Sequence, residues 1–152
     1  MGRIYTVSFS AVTLAEARDL FEIQPADDKP VTIRKIVVTP DSDETNKQLK
    51  ITLSRFSGAF TSGSGGSSAT AVAVNSHDAA AGFTAEVVNT TRATGGTSVL
   101  IQPESFPSQG GFEFNPDPAE RPVVYQAEAF VVGCEENPGS VAYSGYMVVE
   151  EA

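Results

Sequence analysis

Apolar side chains in this chain recur at every second position within short runs, and that spacing limits what it can fold into. Successive residues of a strand point to opposite faces, so alternation of apolar and polar residues marks a strand with one face buried. Leu49, Ile51 and Leu53 alternate with Lys50, Thr52 and Ser54, the clearest such stretch. Tyr5, Val7 and Phe9 repeat the pattern, as do Phe21 and Ile23. Val31 to Thr39 is a β-branched run that turns apolar on both faces towards its end (Ile36, Val37, Val38), which suits a more central strand. Further strands are expected at Ala69–Val74, Phe83–Asn89, Thr97–Gln102, Val123–Val132 and Ser140–Glu150.

Turn-forming clusters separate these runs: Pro25 to Pro30, Pro40 to Asn46, Gly58 to Ser68, Gly95-Gly96, Pro103 to Pro122 and Asn137-Pro138-Gly139. About nine strands at such short spacing form the pattern of a sandwich, jelly roll or barrel. The expected fold is therefore all-β: a single-domain antiparallel β-sandwich over residues 1–152, jelly-roll-like, with at most one or two short helical turns. Thr13-Leu-Ala-Glu16 is a capping-box tetrad and Ser76 to Gly82 ends on a glycine, so those are the two places for such turns. Two segments break the rhythm. Residues 58–68 read as a flexible Gly/Ser loop. Residues 103–122 read as a long loop with five prolines and the rings Phe106, Phe112 and Phe114. Loops of that length are uncommon in compact domains unless they bind something. Such rings need burial, in the chain's own core or on a neighbouring subunit; the core suits any one of them, but not all three are expected there.

Charge is unevenly spread. The net charge is -9, yet residues 1–60 hold eight acids and eight bases. Residues 61–152 hold eleven acids and two bases, Arg92 and Arg121. Such a chain repels phosphate backbones, so nucleic acid is not an expected partner. No stretch of about 18 apolar residues is present to cross a membrane as a helix, and no secretory h-region opens the chain. Met1 to Thr6 fits a loose myristoylation pattern, but the alternation from Ile4 reads as strand. With one cysteine, Cys134, the expectation is a soluble protein folded in a reducing cytoplasm, without an internal disulfide. The charge division also allows a two-faced molecule, its balanced part docked and its acidic part outward.

Catalytic patterns are sparse. His77 is the sole histidine and sits beside Asp78 in a small-residue turn, with no nucleophile elbow nearby. Glu86, Glu104, Glu113 and Glu128 offer carboxylate pairs of the glycosidase type, but nineteen acids make chance pairs common. Glu135 and Glu136 follow Cys134, and their charge makes a thiolate less accessible. Asp41-Ser-Asp43-Glu44 opens like a calcium loop but lacks the later ligands and central glycine. Gly63, Gly65 and Gly66 precede no lysine and no helix, so they form no phosphate loop. Asn89-Thr90-Thr91 is a glycosylation sequon only in a secreted chain. The expectation is a non-enzyme with no cofactor and no metal.

Several stretches resemble a family of small virion structural proteins of tailed bacteriophages and prophages. They are Asp19-Leu-Phe-Glu-Ile-Gln-Pro-Ala-Asp-Asp-Lys-Pro-Val31, Thr61-Ser-Gly-Ser-Gly-Gly66, and Asp78-Ala-Ala-Ala-Gly-Phe-Thr-Ala-Glu86. Asn89-Thr90-Thr91 and Pro116-Asp-Pro-Ala-Glu-Arg-Pro122 complete the set, in an order that spans most of the chain. The resemblance implies a capsid decoration or cement protein on the outer head surface, made in the host bacterial cytoplasm. Its partners would be the major capsid protein and itself, as a homotrimer bridging capsomers. It carries over no catalytic residue. Under that reading Phe106, Phe112, Phe114 and Arg121 are candidates for subunit contacts. Arg3, Arg34, Lys47 and Arg55, from the charge-balanced part, are candidates for the shell-facing side. The rivals are a tail, neck or baseplate component, and a carbohydrate-binding or hydrolytic β-sandwich acting on the host surface.

Overall fold

A computed structural model describes residues 2–42, 47–136 and 139–152. The described residues form twelve strands and one 3-10 turn at Pro118–Glu120. The strands are β1 (Arg3–Leu14), β2 (Arg18–Gln24), β3 (Val31–Pro40), β4 (Gln48–Thr61), β5 (Ser67–Ser68) and β6 (Val72–Ala73). They continue with β7 (Thr84–Asn89), β8 (Thr94–Pro107), β9 (Phe112–Phe114), β10 (Val123–Val124), β11 (Ala129–Cys134) and β12 (Val141–Glu151). Two antiparallel sheets result. The first runs β10-β3-β12-β1-β6, with β9 also on β3, and the second runs β5-β7-β2-β11-β4-β8.

Setting aside the excursion β5 to β7, each connection crosses to the other sheet except β4 to β8, which pair directly, and β9 to β10, which both lie on β3. That winding is a jelly-roll sandwich. The excursion itself widens both sheets at one side: β6 adds to β1, and β7 with β5 add to β2. None of the described helical residues forms a segment long and apolar enough to cross a membrane.

The core lies between the sheets and follows the alternation read from the sequence. Tyr5, Val7 and Phe9 of β1 meet Phe21 and Ile23 of β2, Leu49, Ile51 and Leu53 of β4, and Phe130 and Val132 of β11. Ring contacts tie the layers, with Phe9 and Phe21 centroids 5.3 Å apart and Tyr5 edge-on to Phe83 at 5.6 Å. Strict alternation fails where strands bulge. A register shift between Val148 and Val149 of β12, opposite β3, lets both Ile33 and Ile36 face the core. A second shift in β1 falls between Phe9 and Val12, with Ala11 at φ 50°.

Several sequence expectations change. The capping-box residues Thr13 and Leu14 belong to β1, where they pair with Ala142 and Val141, so no helix starts there. Residues 75–78 form a tight turn closed by Asp78 N–H on the Asn75 carbonyl at 3.0 Å, not a helix. The Ala69–Val74 strand shrinks to the two residues of β6. Val123–Val132 splits, because its first part pairs in one sheet and its second part in the other. The Gly/Ser loop is shorter than read, since β4 runs to Thr61 and β5 begins at Ser67. Much of the 103–122 loop is also strand: β8 continues to Pro107, and β9 pairs with β3. The Asn137-Pro138 part of the last turn and Asp43 and Glu44 of the calcium-like stretch lie outside the described residues.

Candidate functional site

The three loop phenylalanines are core residues. Phe106 pairs with Leu49, Phe112 with Val38 and Phe114 with Ile36, and each of those partners faces the space between the sheets. Directly opposite residues share a face, so register alone turns all three rings inward. Phe106 packs against Phe112 at 6.1 Å and edge-on to Tyr143 at 6.5 Å. The expectation that these rings lie at subunit contacts is thus replaced by burial within one chain. Arg121 is different. It is half-buried just before β10, and its Nε is buried with no hydrogen-bond partner among the described residues.

The four candidate shell-facing cations do not gather. Arg3 pairs with Glu151 at one end of β12, and Arg34 of β3 meets Glu150 Oε2 at 3.2 Å on the same sheet. Lys47 lies at the other end, where its N–H donates to Ser108 Oγ and the Tyr143 hydroxyl donates to the Ser108 carbonyl. Arg55 is on β4 in the second sheet, between Phe130 and Val99.

Around Arg34 gathers a surface whose other members, Lys35 and Tyr146 among them, the sequence did not single out. On the outer face of the first sheet, Ile4, Thr6 and Ser8 of β1 stand opposite Glu150, Val148 and Tyr146 of β12. Those three stand opposite Thr32, Lys35 and Val37 of β3 in turn. Lys35 reaches Glu113 at 3.7 Å and lies over the Tyr146 ring at 6.0 Å. The two cations Arg34 and Lys35 are thereby balanced by Glu150 and Glu113, which leaves the face neutral on a chain of net charge -9.

The outer face of the second sheet carries the densest polar network. Asp19 and Glu22 of β2 are buried, against the usual exposure of carboxylates. Arg92 answers Asp19 at 2.9 Å and holds Glu135 through two bonds of 2.8 Å, a bidentate fork. The Ala93 N–H donates to Asp19 Oδ2 at 2.7 Å, and the Thr52 hydroxyl donates to Glu135 at 2.7 Å. Glu22 accepts the Gly63 N–H at 2.9 Å and the Ser62 hydroxyl, which pins the Gly/Ser loop over the sheet. Only glycine fits at 63, because a Cβ there would come within 2.7 Å of Asn89 Nδ2. The Arg92 bonds hold the Glu135 carboxyl down at about 2, and the same bonds raise the guanidinium. Burial pushes the Asp19 carboxyl up, offset in part by Ala93 and Arg92. The network has an evident mechanical role: it fastens residues 62–64 and 91–93 to β2 and β11.

The remaining candidates are dispersed. His77 is exposed, and its N–H donates to Asn75 Oδ1 at 3.2 Å. Glu86 on β7 and Glu104 on β8 sit towards opposite edges of the second sheet, while Glu113 belongs to the first. Cys134 is buried, and burial raises its thiol. Among the described residues no three His, Cys, Asp or Glu side chains gather so as to hold a metal ion. A shallow cavity of about 570 Å³, lined by residues 68–71, 80, 81 and 83–86 together with Gln24 and Ser62, is walled mainly by Ala, Ser and Thr, with Phe83 and Glu86. No family model, no curated protein and no solved structure matches the chain.

Proposed function

We propose that this chain is a non-enzymatic structural protein of a tailed-phage virion, a decoration protein that binds the outside of the head and stabilises the shell. The supporting observation is the neutral outer face of the first sheet. Exposed Tyr146 and half-buried Ile4, Val37 and Val148 lie there among balanced charges, while the acidic excess falls elsewhere on the chain. A flat face of this make-up can dock on another protein without burying unpaired charge. The rigid sandwich behind it supplies shape, as bridging neighbouring capsomers requires. The partners in this reading are the major capsid protein and further copies of the chain, as a homotrimer. Half-buried Arg121 is the candidate for a contact between copies.

The test is binding of the purified protein to undecorated phage heads. Arg34→Glu combined with Lys35→Glu should weaken binding at least tenfold and alter its salt dependence. Lys47→Glu, at the far end of the sandwich, should leave binding unchanged. Equal binding by the wild type and the Arg34/Lys35 variant would sink the assignment of this face.

A further inference from the structure

A sandwich of two open sheets has four edges, and three of them here end in very short strands. The first sheet ends in β6, of two residues, and on its other side in β9 and β10, of three and two. The second sheet ends on one side in β5, of two residues. Very short edge strands are a common defence against unwanted pairing. The fourth edge has no such defence. β8 is fourteen residues long, and among the described residues it pairs with β4 alone. Its other side therefore presents a row of backbone N–H and C=O groups with no strand beside them.

The side chains match that openness. Thr94 to Gln102 contains no charged residue and no proline, so neither guards this part of the strand, and Pro103, Glu104 and Pro107 fall in its last third. Val99, Leu100 and Ile101 are 42%, 52% and 39% exposed. Val99 and Leu100 are consecutive in regular register and so point to opposite faces, which leaves neither face of β8 covered there, and Ile101 is the extra residue of a bulge opposite Leu53 and Ser54.

We propose that the free edge of β8 is a self-pairing site, filled by β8 of a second copy running antiparallel and centred near Leu100. Charge selects this occupant. Two chains of net charge -9 repel each other over most of their surfaces, but here each offers a strip from 94 to 103 with no charge at all. Length selects it as well. Among the described residues the other long open edge is β1 beyond Thr6, which a bulge between Phe9 and Val12 interrupts, so a two-fold contact of β8 with itself is the longest pairing available between copies. A two-fold axis also sets the same aliphatic residues against themselves, the self-complementary arrangement closed dimers use. This pairing does not depend on docking to a capsid. Were the copies already trimers through other surfaces, it would join trimers in pairs.

Light scattering of the full chain across a wide range of concentration tests this, with Val99→Lys/Leu100→Lys as the variant. Both positions are exposed, and circular dichroism checks that the fold is kept. The wild type should hold an even number of copies and the variant half that mass. A monomeric wild type, or the same mass for both proteins, would overturn the proposal. A second arm uses Leu100→Cys. Mild oxidation should give a disulfide-linked dimer at high yield, because a two-fold brings that residue against its own copy. A halved mass in the lysine variant without cross-linking of Leu100→Cys would overturn the two-fold register in favour of a head-to-tail contact. Neither readout involves phage heads, so failure here is distinguishable from failure of head binding.

Discussion

Arg92 is the side chain on which most of the outer polar network turns. It joins Asp19, 73 residues away in sequence, to Glu135, 43 residues away, and so clamps the chain between β7 and β8 onto β2 and the end of β11. Replacing it by alanine leaves the buried Asp19 with only the Ala93 N–H. Loss of charge-assisted bonds of this kind costs about 2–3 kcal/mol, which urea unfolding of Arg92→Ala should register. The pH dependence follows from Glu135. Its carboxyl sits at about 2 in the folded chain against 4.5 when free, so its stabilising effect is complete above 4.5 and is lost as pH falls towards 2. Asp19, pushed up by burial, acts with the opposite sign: its effect is lost as pH rises through its raised value. Glu135→Gln should therefore flatten the acid limb of stability between pH 4.5 and about 2. An unchanged slope in that variant, read from unfolding midpoints at several pH values, would assign the acid limb to other groups.

Among the elements, β8 and β9 changed most between sequence and structure, and the reason is composition. Proline and glycine mark loops on average, but Pro103 and Pro107 lie in the strand that edges the second sheet, where a missing N–H is tolerated. Phe106, Phe112 and Phe114 are spaced to alternate within β8 and β9, and the register against β4 and β3 directs all three inward. Phe106→Ala should cost about 3–4 kcal/mol in chemical denaturation, the usual loss for an emptied aromatic site. Its native mass should match that of the wild type. A changed mass with unchanged stability would return this ring to a subunit contact.

The two sheets share one core, with β2, β4 and β11 of one packed on β1, β3 and β12 of the other, so the sandwich is expected to open as a unit. Cys134 reports on that. It lies in the core at 2% exposure, with its thiol raised by burial and its Sγ donating to the Glu136 carbonyl. Thiol labelling in the native state should proceed only as fast as global opening, and its free energy should equal that from urea unfolding. Labelling far faster than that would mean that β11 opens locally, and would break the picture of a single cooperative sandwich.

Alternation in Leu49 to Leu53, Tyr5 to Phe9 and Val31 to Val38 was enough to identify strands, and the turn clusters between them were enough to identify an all-β sandwich. Both signals are local, set by the period of a strand and by backbone preferences at Gly, Pro and Asn. The site was far less legible. The partners of Arg92 are distant in sequence, and nothing near Arg92 announces them. The neutral face around Arg34 and Lys35 exists because β3, β12 and β1 lie side by side, an order fixed by how the chain crosses between sheets. One clue to the exposed edge was in plain view: no charge interrupts the chain between Arg92 and Glu104. Yet the same stretch would be an ordinary inner strand had another strand packed beyond it. The residues set which segments became strands; long-range pairing set which strand was left at the edge, because hydrogen-bond partners across a sheet are chosen by topology and not by the local sequence.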